Sequence, residues 1–102
     1  MIPKVAVLGT FRFPPEKIPA VLAPLKALVD ATHKNDGCIA YDVAEDLYDK
    51  GLIRMSELWP DHESLQKHLQ APHIEPWRKA VVELGLIDRE FMVYGVSNGK
   101  KL

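Results

Sequence analysis

The sequence predicts a single α+β domain over residues 1–102, and three observations support this prediction. Runs such as VAVLGTF and FMVYGV are rich in the β-branched and aromatic residues typical of strands. Two stretches between such runs repeat apolar residues at helical spacing. The resulting order is β-α-β-β-α-β, with the second helical part broken in two. This order predicts a ferredoxin-like antiparallel sheet that carries its helices on one face.

The first half of the chain is predicted to form a strand and a long helix. Val5–Phe11 is the strand, and the prolines at 14, 15 and 19 suit a loop that enters a helix. One apolar stripe then runs along the helix, formed by Ile18, Val21, Leu22, Leu25, Leu28 and Val29. The segment Asn35-Asp36-Gly37 is predicted to end it.

A hairpin is predicted after this helix. Its strands are Cys38–Glu45 and Leu52–Trp59, and the turn-rich segment DLYDKG joins them. Asp61 follows at a position suited to cap the next helix, because its carboxylate can accept from backbone N–H groups of the first turn.

The last third of the chain is predicted to hold two helical pieces and a strand. Leu65 and Leu69 are the apolar positions of the first piece, which Pro72 ends or kinks. Gly85 is placed to close the second piece. The apolar side of that piece consists of Ile74, Trp77, Val81 and Leu84. Arg89–Ser97 is the final strand.

The first and last strands are apolar at nearly every position. An antiparallel sheet with one wet face usually alternates apolar and polar residues, although short segments of β-rich cores can also be uniformly apolar. Helices can cover only one face of this sheet. We therefore expect a second copy to cover the other face, giving a two-fold homodimer built sheet to sheet.

Composition excludes several classes of partner. Lys and Arg number 13 against 14 Asp and Glu, and no basic run predicts contact with nucleic acid or a membrane surface. No stretch is apolar enough to span a bilayer, and the apolar N-terminus meets Arg12 and two prolines too early for a signal peptide. The single Cys38 cannot form an internal disulfide, which predicts a reducing, cytoplasmic location.

Strand Leu52–Trp59 places an acid on an apolar face. Ile53, Met55, Glu57 and Trp59 share that face, so Glu57 needs a partner and burial would raise its pKa. Glu57 is expected either to anchor a loop or helix end through backbone N–H groups or to take part in acid–base chemistry. Trp59 is a core residue by default, but its indole N–H still needs an acceptor, which a ligand can provide.

Three histidines follow within one short region. His68 lies between Leu65 and Leu69 on the inward stripe, either as a neutral core residue or as a pocket base with a pKa near 6.5. His73 lies about 140° further around the helix and beyond a proline, so the two are not expected to share a face. The spacing of His62 and His68 suits a pair of metal ligands still less well. No metal site is therefore expected.

Motifs for common cofactors are absent from the sequence. It contains no GxGxxG, GxxxxGK[ST] or GxSxG, and nothing around Cys38 indicates a nucleophile. An enzyme with this sequence is expected to work without a metal or a phosphate-bearing cofactor.

Three segments carry a resemblance to a known family. GCIAYDV at 37–43, ELW at 57–59, and HL with a PH pair at 68–73 resemble the antibiotic biosynthesis monooxygenase family of dimeric α+β barrel proteins, which includes small quinol monooxygenases. The resemblance covers residues 4–97. It implies cofactor-independent oxidation of a quinol, phenol or anthrone-like aromatic substrate by O2.

Such chemistry requires a substrate anion, because triplet oxygen reacts slowly with closed-shell molecules. A phenol with a pKa of about 10 needs about 4 kcal/mol of differential stabilisation to be held as phenolate at pH 7. The resemblance implies His68 as base or anion partner, Tyr41 and Trp59 as donors or walls, and Glu57 as an orienting group. Tyr41 also alternates with Ile39 and Val43 as a core aromatic would. The expected substrate-binding residues are His62, His73 and Trp77.

Other functions remain open at this point. The family also resembles haem-degrading relatives, but His68 stands where they have a tryptophan and Arg78 where they have the haem-ligating histidine, so no haem is expected. The alternatives are a non-catalytic small-ligand-binding barrel and an isomerase or other proton-transfer enzyme that uses the same histidine.

Overall fold

The computed structural model describes residues 2–102 and has the predicted order of elements. The elements are β1 (Val5–Arg12), a 3₁₀ turn (Pro15–Lys17), α1 (Ile18–Asn35), β2 (Ala40–Glu45), β3 (Leu52–Trp59), α2 (His62–Leu69), α3 (Ile74–Glu83) and β4 (Asp88–Gly95). The sheet order is β2-β3-β1-β4, and every pairing is antiparallel. The ferredoxin-like α+β prediction is confirmed.

The inner face of the sheet packs against the helices. Val5 pairs with Trp59, Val7 with Glu57 and Phe11 with Ile53, and all six side chains are buried. The predicted stripe of α1 supplies Val21, Leu25 and Leu28 to this core. Helix α1 continues through Pro24.

The ends of α2 and α3 follow local capping rules. Asp61 Oδ1 accepts from the Ser64 backbone N–H at 2.7 Å, so the predicted cap of α2 is confirmed. Gly85 has φ +75° just after α3, and the Leu86 N–H donates to the Val81 carbonyl at 3.0 Å, which is a Schellman ending. Among residues 2–102, no helix is both long and apolar enough to cross a membrane.

The outer face of the sheet is open in the single chain. Leu8 is 55% exposed, Met92 58% and Tyr94 45%. These residues lie on neighbouring strands, because Leu8 pairs with Met92 and Ala6 with Tyr94. The uniformly apolar strands thus place one set of side chains in the core and the other set on an exposed apolar surface.

The turn between β2 and β3 depends on Gly51. This residue has φ +91°, and the Phe13 N–H donates to its carbonyl at 2.9 Å. A Cβ at position 51 would meet the Phe13 carbonyl oxygen, which belongs to the backbone and cannot swing away. Glycine is therefore required for two reasons, the positive φ and the close approach.

Gly51→Ala is expected to destabilise the fold more than Gly37→Ala, measured as the urea unfolding midpoint at constant m-value. Both glycines have positive φ, which costs an L-residue about 1–2 kcal/mol. Gly37 has open space around it, whereas Gly51 adds the clash with Phe13. We expect the difference to exceed about 1 kcal/mol. Equal losses for the two variants would contradict the packing described for this turn.

Candidate active site

A cavity of about 300 Å³ lies between the inner face of the sheet and helices α2 and α3. Its walls are mostly apolar and aromatic, with a few polar groups. The lining includes Tyr41, Glu57, His68, Trp77, Arg89 and Phe91. A larger depression of about 430 Å³ lies on the outer face of the sheet and has no histidine in its lining. Of these two, the inner cavity is the more enclosed and has a histidine in its lining.

His68 enters this cavity from α2 with one ring nitrogen already bonded. Its Nδ1 lies 2.7 Å from Oδ2 of Asp36, and the two side chains are 4% and 8% exposed. A carboxylate can only accept, so Nδ1 carries the proton and Nε2 is left as an acceptor. No group of residues 2–102 hydrogen-bonds to Nε2. Burial lowers the pKa of His68, and Asp36 opposes that shift.

His73 shares the same carboxylate. Its Nε2 lies 2.8 Å from Asp36 Oδ2, and the two imidazole rings are 6.3 Å apart between centroids. The separation predicted from helical spacing was wrong, because α2 ends at Leu69 and the chain turns before α3 begins at Ile74. His68 and His73 therefore approach Asp36 from two different helices.

Within residues 2–102, Asp36, His68 and His73 bring three potential metal-ligating atoms close together. One atom from each lies within 4.8 Å of the others, and two histidines with a carboxylate are a donor set that divalent transition metals accept. The contacts to Asp36 Oδ2 are hydrogen-bond lengths, so the two ring N–H groups satisfy the carboxylate. The expectation of no metal site rested on the two histidines being apart, and that reason does not hold.

Trp59 supports His68 from behind and does not line the cavity. The two rings are 4.9 Å apart between centroids, and Trp59 is fully buried. Its indole N–H donates to Glu57 Oε1 at 2.9 Å, so the acceptor that this donor needs is a side chain of the protein. Glu57 therefore anchors an indole and not a helix end or loop. Burial raises the pKa of Glu57, while the bond from Trp59 and the charge of Arg89 oppose the shift.

Tyr41 forms another wall beside His68. Its ring centroid is 5.1 Å from that of His68, and its side chain is buried. Burial and, secondarily, the nearby charge of Glu57 raise the pKa of the Tyr41 phenol. Its hydroxyl therefore stays neutral at physiological pH.

The remaining predicted residues divide between the cavity and the surface. Trp77 is buried and lines the cavity, where its ring packs edge-on against Phe11 at 5.3 Å between centroids. His62 is exposed at the first turn of α2 and does not line the cavity. The structure thus brings Tyr41, Glu57, His68 and Trp77 together at the cavity, whereas Trp59, His62 and His73 do not line it.

Comparison with known proteins identifies the family. Residues 4–80 match the model of the family described as "Antibiotic biosynthesis monooxygenase". The chain belongs to the antibiotic biosynthesis monooxygenase family. It is 33% identical over 84 residues to the candidate monooxygenase Rv0793 of Mycobacterium tuberculosis, and the match covers 82% of each chain.

Solved structures of similar proteins agree with this family assignment. The structure of Rv0793 superimposes with a TM-score of 0.82 at 29% identity, covering 95% of this chain and 98% of that one. A candidate antibiotic biosynthesis monooxygenase from Deinococcus radiodurans gives a TM-score of 0.88 at 26% identity, covering 96% of this chain and 97% of that one.

Sequence reasoning missed two residues of this family member's site. Asp36 was interpreted only as part of a helix stop, although it directly precedes the GCIAYDV segment. Arg89 was seen only as the start of a strand, although alternation with Phe91 and Val93 assigns it to one face. The position of Asp36 and the alternation around Arg89 were visible in the sequence, but neither indicated which side chain each residue would contact.

Asp36→Asn is expected to lower the pKa of His68 further, followed by the pH dependence of its imidazole NMR signals. In the folded protein Asp36 favours the imidazolium, so removing that charge leaves burial unopposed. The matched control is Asp30→Asn, because Asp30 is exposed and pairs with Lys26 on α1. An unchanged or higher His68 pKa in Asp36→Asn would show that the hydrogen bond does not couple the two groups.

Proposed function

We propose that this protein is a cofactor-free monooxygenase that oxidises a quinol, phenol or anthrone-like substrate with O2, and that His68 is its base. The observation that carries the proposal is the His68–Asp36 hydrogen bond at 2.7 Å, which leaves Nε2 unbonded in an apolar cavity. Membership of a monooxygenase family supports an oxygenase over other reactions of such a base.

The first step of the proposed reaction is proton transfer. Nε2 of His68 takes the hydroxyl proton of the substrate, and Asp36 stabilises the resulting imidazolium through Nδ1–H. Because burial lowers the pKa of His68, the imidazole is neutral and able to accept at pH 7. A positioned base of this kind typically contributes about 10²–10⁴-fold in rate.

The second step uses the electrons of the substrate anion. The anion donates an electron to O2, and the two radicals combine to form a C–O bond at a ring carbon that bears hydrogen. The resulting peroxide anion takes back the proton held by the His68 imidazolium and becomes a hydroperoxide. Its O–O bond then breaks as the carbon loses its proton, so that the C=O group forms and water leaves. The substrate supplies all the electrons, so the proposed reaction balances without another reductant.

Cavity shape supports an aromatic substrate of modest size. Its volume is at the lower end of the range for small-molecule pockets. The rings of Tyr41, Trp77 and Phe91 line it and can pack against a planar ligand. A neutral Tyr41 hydroxyl can also donate to a substrate oxygen.

A homodimer and a cytoplasmic location are further parts of the proposal. The outer face of the sheet exposes Leu8, Met92 and Tyr94 on adjacent strands, and a second copy related by a two-fold axis would cover this apolar surface. Cys38 is unpaired and partly buried, which suits a reducing compartment.

His68→Ala is expected to reduce oxygen uptake by about 10²-fold or more, measured with metal-free and flavin-free protein on a panel of hydroquinones and anthrones. His62→Ala is the matched control, since it removes an exposed imidazole from the same helix. A no-protein reaction corrects for autoxidation.

Several outcomes of this assay would contradict the proposed oxygenase function. Product formed without oxygen consumption would indicate the proton-transfer isomerase. Tight binding with no turnover would indicate the non-catalytic ligand-binding barrel. Uptake that His68→Ala leaves unchanged would remove His68 as the base.

Met92→Glu is expected to convert a dimer into a monomer, measured by light scattering at micromolar concentration. A charge introduced into the proposed interface must be desolvated on association. Val82→Glu is the control, because Val82 is 78% exposed on α3 and lies away from the outer sheet face. A monomeric wild-type protein, or a Met92→Glu variant that stays dimeric, would contradict the proposed interface.

A further inference from the structure

We propose that Arg89 is the anion-binding residue of the inner cavity, so that the cavity takes an aromatic ligand with an ionised oxygen. This inference rests on the proposed function in one respect, because the ligand occupies the cavity assigned to the substrate. It adds a ligand class, an aromatic phenolate or carboxylate, and a residue that recognises it.

Arg89 lines the cavity and is also exposed to solvent, so a ligand that enters the cavity can reach it. Arg89 pairs with the buried Phe11 of β1, which places it on the inner row of β4, and it lines the cavity. Its guanidinium carbon lies 4.3 Å from the centroid of the Phe91 ring. That ring covers Gly9, where any Cβ would collide with it. The cation is therefore pre-positioned by stacking.

The donors of Arg89 remain available for a ligand. Within residues 2–102 its guanidinium makes no hydrogen bond and has no carboxylate within ion-pairing distance. Arg78, the other arginine at the cavity, already donates to Glu75 Oε1 and to the Leu69 carbonyl, each at 2.6 Å. A guanidinium carries five N–H donors in a plane that matches a carboxylate or a pair of ring oxygens.

Glu57 is the charged group that competes for Arg89. It lines the same cavity, but it is 5% exposed and accepts from the Trp59 indole. Asp36 is occupied by the two histidine N–H groups. A ligand anion in the cavity can therefore take the free donors of Arg89 while Glu57 stays with Trp59.

The ionised oxygen of the ligand can belong to a phenolate or to a carboxylate, and two probes distinguish these anions. The first probe is 4-nitrophenol, whose phenolate has its own visible absorbance, so that binding reports directly on the ionised form. The second is 1-naphthoate compared with the neutral 1-naphthamide by calorimetry. Neither probe has to be oxidised to give a signal.

Arg89→Gln is expected to weaken binding of the anionic probe by about tenfold to a hundredfold, as expected for a lost hydrogen bond to a charged group. Arg89→Lys keeps the charge and should retain part of the affinity. Arg12→Gln is the matched control, because the Arg12 guanidinium pairs with Asp49 on an exposed surface outside the cavity. A phenolate-only response identifies the substrate's own ionised hydroxyl as the anion, and a naphthoate preference identifies a ring carboxylate.

Glu57→Gln separates ligand binding from a merely structural role of Arg89. The side-chain amide oxygen that this substitution introduces can still accept from Trp59, and the loss of the competing charge should tighten binding of the anion. If Arg89 served only to balance Glu57, then Arg89→Gln would have no effect in the Glu57→Gln background, and the proposal would be wrong.

The inference is also overturned if wild-type protein binds neither anion or prefers the amide. Its failure is distinguishable from failure of the proposed function. Arg89-dependent binding without oxygen uptake supports the anion site and removes the monooxygenase. Oxygen uptake that Arg89→Gln leaves unchanged, without Arg89-dependent binding, supports the monooxygenase and removes the anion site.

Discussion

The shared carboxylate of Asp36 is the contact on which the candidate site depends. One oxygen accepts from His68 of α2 and from His73 at the start of α3, while Asp36 itself lies at the end of α1. Three helix ends are thus joined at one buried point. The same contact decides which nitrogen of His68 carries the proton, because a carboxylate cannot donate. The Asp36 carboxylate therefore both joins the three helix ends and fixes the position of the proton on His68.

Burial affects the titratable groups around this point in opposite directions. It disfavours the charged form of each, so it lowers the pKa of His68 and raises the pKa values of Tyr41 and Glu57. A neutral imidazole beside a neutral phenol is the state in which one can accept a proton and the other can donate a hydrogen bond. The packing of Trp59 against His68 maintains this state, since a fully buried indole excludes water from that side.

Local rules predicted most of the fold, and tertiary contacts decided the rest. β3 has its predicted bounds, and Asp61 and Gly85 act as predicted, because caps and alternation depend on neighbours in sequence. The inward position of His68 followed from the same periodicity. Its partner Asp36 is 32 residues away, and no pattern indicated which donor or acceptor the fold would bring to it. The indole of Trp59 shows the same limit, because its acceptor Glu57 was itself assigned to other roles.

The two faces of β4 connect the cavity with the exposed apolar surface. Arg89 and Phe91 point inward, whereas Glu90 and Met92 alternate with them on the outer face. β4 is also an edge strand, bonded to β1 on one side. An edge strand has unpaired backbone N–H and C=O groups along its free side. A second chain over Met92 and Tyr94 would pack against the strand that carries Arg89 and Phe91, so the proposed interface and the proposed ligand site would share a single strand.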